Sequence, residues 1–295
     1  MTTISFTHKT VLHPNSKSYH KLFTFDQLFQ ETKALFWRFV LQSFRRSAFV
    51  ISGIIQPLLW LILFGALFQE FKIPGRTGNT GPYMDFLSSG IIVFTAFTSS
   101  LNAGLPIMFD REFGFFNRLL VAPLTSRFSI VIASFYYIVS ITTIQLFIIS
   151  SLVVVDKQIN QQISLFGSLL LFLLLLLLIC LVTLFSIAVS FILPGHIELL
   201  AIILLTNLPI LFSSTALAPL MFMPRWLQII ASINPLTYAI EVFRYVGSTV
   251  DIRIFEKLIF TGFGSMSLFD IILYFVICNF IVLLISNHFF YRKLE

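Results

Sequence analysis

Charge is what this chain has least of. Only 11% of its 295 residues are Asp, Glu, Lys or Arg, against 57% hydrophobic, and the mean hydropathy is +0.94. Soluble domains carry about 25% charged residues, so the deficit alone excludes a water-soluble globular class. Cysteine is almost missing. Cys180 and Cys278 each stand alone within an apolar run, a spacing that gives neither a disulfide framework nor a zinc site and reads as two small buried hydrophobes. Alternation of polar and apolar residues is also missing from runs such as 169–178, which excludes a transmembrane β-barrel. No G-x-x-x-x-G-K-[ST] phosphate loop occurs. Neither does a metal-ligand cluster or a recognisable Ser/His/Asp arrangement, so no catalytic, metal-binding or cofactor-binding residue is assigned.

What the chain has instead is six long uncharged apolar runs. They lie between Arg46 and Glu70, Asp85 and Asp110, Arg127 and Asp156, Lys157 and Glu198, Glu198 and Arg225, and Asp270 and Arg292. Each supplies the roughly 20 apolar residues a helix needs to cross a ~30 Å hydrocarbon core. In lipid the backbone must satisfy itself within helices, so the runs predict spans at about 47–68, 86–108, 129–153, 163–192, 199–222 and 270–290, a six-span domain over 47–292. Lys and Arg gather on cytoplasmic flanks. With both termini inside, twelve of the 19 basic residues fall on the inner segments and seven on the outer. The net charge of +6 is therefore a matter of topology, not of nucleic-acid binding. The first apolar run begins only after about 45 polar and mixed residues, so no cleavable signal peptide is expected.

Before the first span, residues 1–20 read as a flexible polar tail. Residues 21–46 read as an amphipathic helix along the inner membrane surface. Thr24 and Gln27 make a capping box, Phe25, Leu28, Phe29, Leu35, Phe36, Phe39 and Val40 recur at helical spacing, and Asp26, Gln30, Lys33, Arg38 and Gln42 take the other, polar face. The same residues could also simply extend the first span. Pro57, Pro106 and Pro209 predict kinks, which suit a moving bundle or static packing equally well. The expected fold is all-α and membrane-integral, with six transmembrane helices, the surface helix, and a broken re-entrant or interfacial helix pair before the last span.

No span contains a central ionisable residue, and such residues are the usual mark of ion pathways and proton relays. An ion-coupled transporter or channel is thereby disfavoured, and attention passes to two polar stretches. On the inner side, 109–128 holds the cluster Asp110, Arg111 and Glu112, then Gly114 for a tight turn, and Arg118. Phe115, Phe116, Leu119 and Leu120 form an apolar face, and Pro123 ends the helix. The pattern predicts a short amphipathic helix projecting inward with charge at its tip, shaped to dock on a partner. On the outer side, 223–267 mixes apolar residues with Arg225, Asn234, Glu241 and Arg244 in segments too short to span.

Together these features resemble the membrane subunit of type-2 ABC exporters over about residues 22–292. That family's D-R-E-G-L-L-P pattern after the second span is matched by Asp110, Arg111, Glu112, Gly114, Leu119, Leu120 and Pro123. Its P-x-W and N-P-L-T-Y-A…R signature is matched by Pro224, Trp226, Asn234, Pro235, Leu236, Thr237, Tyr238, Ala239 and Arg244, with Glu241 inside it. The chain departs at Asn117, where many members are acidic. The resemblance implies that 110–123 engages a separate P-loop ATP-binding subunit, that ATP is used by that partner, and that two permease subunits, as a homodimer, frame the pathway in lipid. It implies no particular cargo. A non-transporting membrane scaffold is the other reading, since docking helices serve scaffolds too. The wealth of Phe (36 residues) beside 13 Gly suits an AT-rich coding genome. With the likeness of the 110–127 stretch to cyanobacterial-type members, it points to a plastid membrane with stromal termini; a bacterial inner membrane is the alternative.

Overall fold

The computed structural model describes residues 25–45, 47–74, 80–121, 128–156, 164–249, 252–261 and 264–294. The expected N-terminal tail and Pro123 lie outside them. The described residues are mostly helical. Helix α1 (Phe25–Arg45) is followed by α2 (Ser47–Leu67), a hairpin of β1 (Lys72–Pro74) and β2 (Thr80–Pro82), then α3 (Tyr83–Leu101), α4 (Gly104–Glu112) and α5 (Phe115–Val121). Next come α6 (Phe128–Asp156), α7 (Leu165–Ile192), α8 (His196–Phe212), a 3-10 turn at Leu220–Phe222, α9 (Arg225–Ile233) and α10 (Pro235–Ser248). A second antiparallel hairpin, β3 (Lys257–Thr261) and β4 (Gly264–Ser267), leads into α11 (Leu268–Leu294). Among the described residues, two small hairpins thus join elements that are otherwise helical.

Helix α1 is amphipathic, and Asp26 in its first turn and Arg45 in its last suit the helix dipole. Its buried residues Leu35 and Phe39 pack into the cluster that α6 supplies, with the Phe39 and Tyr137 rings 5.7 Å apart. Phe29, Trp37 and Phe44 stay exposed. It is a helix in its own right, docked on α6.

The middle of the molecule is α3. From Leu87 to Leu101 every residue is buried, because α2, α6, α7 and α10 all pack around it. Small residues permit this. A Cβ on Gly90 would stand 2.6 Å from the Ala216 carbonyl oxygen, and one on Gly104 2.5 Å from that of Ser186. The second apolar run is interrupted between α3 and α4, at Asn102–Ala103, rather than ending near Pro106. The cause is local: a proline clashes with the carbonyl four residues earlier, and that residue is Asn102. Pro106 itself fits comfortably in the first turn of α4.

Among the described residues, five helical stretches are long and apolar enough to cross a membrane: Val50–Leu67, Tyr83–Glu112, Ser129–Val153, Leu165–Ile192 and Leu268–Asn287. The chain is a multi-pass membrane protein. The fifth run departs from expectation, for α8 ends at Phe212 instead of continuing to 222. Its 17 residues reach about 26 Å at 1.5 Å per residue. The run stops there because side chains from further along capture its last carbonyls. Asn234 Nδ2 donates to the carbonyl of Ile210 at 2.9 Å, and Arg244 Nη2 to that of Thr215 at 2.7 Å.

Before the last long helix the chain forms two short helices, α9 and α10. Pro224 precedes α9 as its N-cap. The Asn234 side chain then caps α10 by accepting from the Leu236 N–H at 3.0 Å, with Pro235 at the first helical position. Because α4 and α3 form one continuous passage, the molecule has two ends. The α1 end carries α1, α5 and the α7–α8 turn; the hairpin end carries both hairpins and α9–α10. Replacing Gly104 with valine pushes α4 off α7 and is expected to cost about 1–3 kcal/mol. Thermal unfolding in detergent should then fall by roughly 5 °C.

Candidate functional site

At the α1 end, Asp110, Arg111 and Glu112 occupy the last turn of α4. Successive residues on a helix point about 100° apart, so three consecutive side chains reach three different elements. Asp110, nearly buried, pairs with Arg38 of α1. The Arg38 guanidinium also lies 4.1 Å from the Phe115 ring centroid. Arg111 donates to the carbonyls of Ser190 at 2.7 Å, of Leu193, and of Pro194 at 3.1 Å, so it caps the orphan acceptors at the C-terminus of α7. Glu112 Oε2 lies 2.5 Å from Nδ1 of His196, the first residue of α8. One helical turn therefore ties α4 to α1, α7 and α8.

Gly114 follows with φ +75°, the left-handed conformation that glycine adopts freely, and reverses the chain into α5. Here the arrangement differs from the expected one. The charges sit at the base, bonded inward, and the projecting part is α5 itself. Phe116 anchors it on Phe191, with ring centroids 5.7 Å apart. Phe113, Asn117, Arg118 and Val121 are exposed.

The other predicted group gathers on α9–α10 at the hairpin end, around Arg244. Its Nε donates to Ser89 Oγ at 3.1 Å, its Nη1 to Glu241 Oε1 at 2.7 Å, and its Nη2 to the carbonyls of Phe86 and Thr215 at 3.1 and 2.7 Å. The guanidinium carbon lies 3.4 Å from the Phe86 ring centroid. Tyr238 donates to the Ser232 carbonyl. Asn234 holds α8 as described, while Trp226 is exposed. The structure thus brings Asn234, Glu241 and Arg244 into one joint that fastens α10 to α3 and to the end of α8. It leaves Pro224 and Trp226 at the rim.

Sequence reasoning missed Arg38, read only as part of a polar helix face, and His196. For His196 a signal existed: Pro194-Gly195 marks a turn between two spans, and counting spans places it beside Glu112. It also missed a cavity of about 80 Å³ between α1, α2, α3–α4 and α6. Among the described residues no cluster of His, Cys, Asp and Glu could hold a metal. Arg244→Lys cannot serve four acceptors with one ammonium; it should destabilise the protein by about 2–3 kcal/mol, read as a lower unfolding temperature in detergent.

A model of the ABC-2 type transporter family matches residues 30–247, a stretch that contains both arginine joints. The chain is 50% identical over 273 residues to transport permease ycf38 of Porphyra purpurea, covering 92% of each chain. It is 54% identical over 249 residues to that of Pyropia yezoensis, 83% of this chain and 84% of the other. With that of Cyanophora paradoxa the identity is 51% over 235 residues, 79% of this chain and 78% of the relative. These relatives are encoded in plastid genomes.

Proposed function

The chain belongs to the ABC-2 type transporter family, and with that as premise we propose that it is the permease subunit of an ATP-driven exporter. ATP is bound and hydrolysed on a separate P-loop subunit. The observation that carries the reading is the three-way tie of Asp110, Arg111 and Glu112. Whatever displaces α5 pulls on α4, and through it on α1, on the end of α7 and on the start of α8. Packed helices shift between discrete arrangements rather than deform smoothly, so a push at α5 becomes a relative movement of the spans. The contact face for the ATPase is the exposed side of α5, with Arg118 its charge. The transporting unit holds two copies of the chain, and exposed Ile197, Leu204 and Leu205 on α8 offer an apolar face for the second. The compartment is a plastid membrane with both termini in the stroma, in keeping with the plastid-encoded relatives.

The test separates docking from transmission. Purified from native membrane in mild detergent, the chain should bring a P-loop ATPase with it. Arg118→Glu should weaken that association about tenfold, a change of about 1.4 kcal/mol. Arg111→Ala should leave the ATPase bound yet remove transport, because the link from α4 to α7 is cut. No co-purifying ATPase, or full transport by the Arg111→Ala protein, would sink the reading.

A further inference from the structure

The cavity at the α1 end belongs to neither arginine joint. On one side it is lined by Phe39, Gln42 and Ser43 of α1 and by Val50 and Gly53 of α2. Opposite lie the α3–α4 break, from Ser99 to Phe109, and the Tyr137–Gln145 stretch of α6. From Ser99 to Phe109 the lining runs ten residues, about 15 Å of helix, or one leaflet of a ~30 Å core. At that depth the surrounding solvent is lipid.

Two properties of the lining define what fits. First, it is mixed but uncharged. Leu105, Phe109, Ile138 and Ile141 form an apolar wall, while Gln42, Ser43, Asn102 and Gln145 supply amides and a hydroxyl. No Arg, Lys, Asp or Glu is among the residues that line it, and Arg38 of α1 turns its Nη2 to Asp110 and its guanidinium to the Phe115 ring. A phosphate here would be a desolvated anion without a counter-charge, which is costly. Second, one acceptor is left over. The amide oxygen of Gln42 is buried with no hydrogen-bond partner, a state that costs about 1–3 kcal/mol unless a ligand donates to it. A close approach keeps the space open. Gly53 faces Gln145 so tightly that a Cβ there would fall 2.5 Å from Nε2, and Gln145 is held by Ser99 and by the Val50 carbonyl at 3.4 Å.

We propose that this cavity is a binding site for an uncharged, hydroxyl-bearing lipid, its hydroxyl donating to Gln42 and its chain lying along Leu105, Ile138 and Ile141. The site is separate from the ATPase-docking face, and its test needs no ATP and no partner, so it stands or falls independently of the exporter reading.

The probe is diacylglycerol carrying a diazirine on one acyl chain, offered to the full chain in phosphatidylcholine nanodiscs. Phosphatidylglycerol with the same labelled chain is the charged comparison. Mass-spectrometric mapping should place diacylglycerol adducts within 99–109 and 137–145, removable by excess unlabelled diacylglycerol and absent with the charged probe. Ile141→Trp should abolish them. Ile144→Trp, on the exposed side of α6, should not. Gln42→Leu should cut labelling about fivefold, the worth of one hydrogen bond, while leaving unfolding temperature unchanged or raised, since it removes an unsatisfied group. Should Ile141→Trp fail to fold, Gln42→Leu alone decides. Adducts confined to outward-facing residues would overturn the proposal. So would equal labelling by phosphatidylglycerol, or adducts indifferent to Gln42→Leu.

Discussion

A helix buried in hydrocarbon cannot hold an unpaired charge in its middle, and this one constraint organises the molecule. The passage α3–α4 is enclosed on all sides, so its charged and strongly polar ties are pushed to its two ends. Ser89, beneath Arg244, and Asp110, beside Arg38, are 21 residues apart, about 32 Å of helix and close to the thickness of the hydrocarbon core. At each end an arginine binds main-chain carbonyls: Arg244 that of Phe86 in the first turn of α3 and that of Thr215 beyond α8, Arg111 those at the end of α7. The same chemistry locks both faces.

Between these ends, among the described residues, the helices are joined by neutral groups. Thr98 donates to Asn207 at 3.1 Å, Ser99 to Gln145, and Asn279 to the Leu177 carbonyl at 3.0 Å. Such bonds within membranes are worth about 0.6 kcal/mol each. That is too little to freeze a bundle and enough to fix which helix faces meet. Strong ties at the ends with weak ties between them leave the middle free to repack while the ends carry force.

Much of this could be read from local signals. Spans announce themselves by composition, and the Asn234-Pro235 helix start carries its own cap and its own fixed φ. The pairing of Asp110 with Arg38 could not be read, since 72 residues separate them and the α1 face that holds Arg38 looked merely polar. The end of α8 was equally hidden. Hydropathy runs on through Leu217 and Leu220, and the stop is imposed by side chains of Asn234 and Arg244 lying later in the chain. The α3–α4 break was half visible: Pro106 predicted a disruption, but its steric effect falls four residues upstream. Gly114 was read correctly as a turn, yet the direction of the charges beside it depends on which neighbours arrive there.

The early stop of α8 has a consequence for the surrounding bilayer. A helix of about 26 Å is several ångströms shorter than the average hydrocarbon layer, and the mismatch has to be absorbed by thinning the lipid beside it or by covering it with protein. The stretches Tyr83–Glu112, Ser129–Val153 and Leu165–Ile192, each of 25 residues or more, make no such demand. The protein is therefore asymmetric in how it strains its membrane, and the thickness of the host bilayer becomes a variable that acts on one face alone.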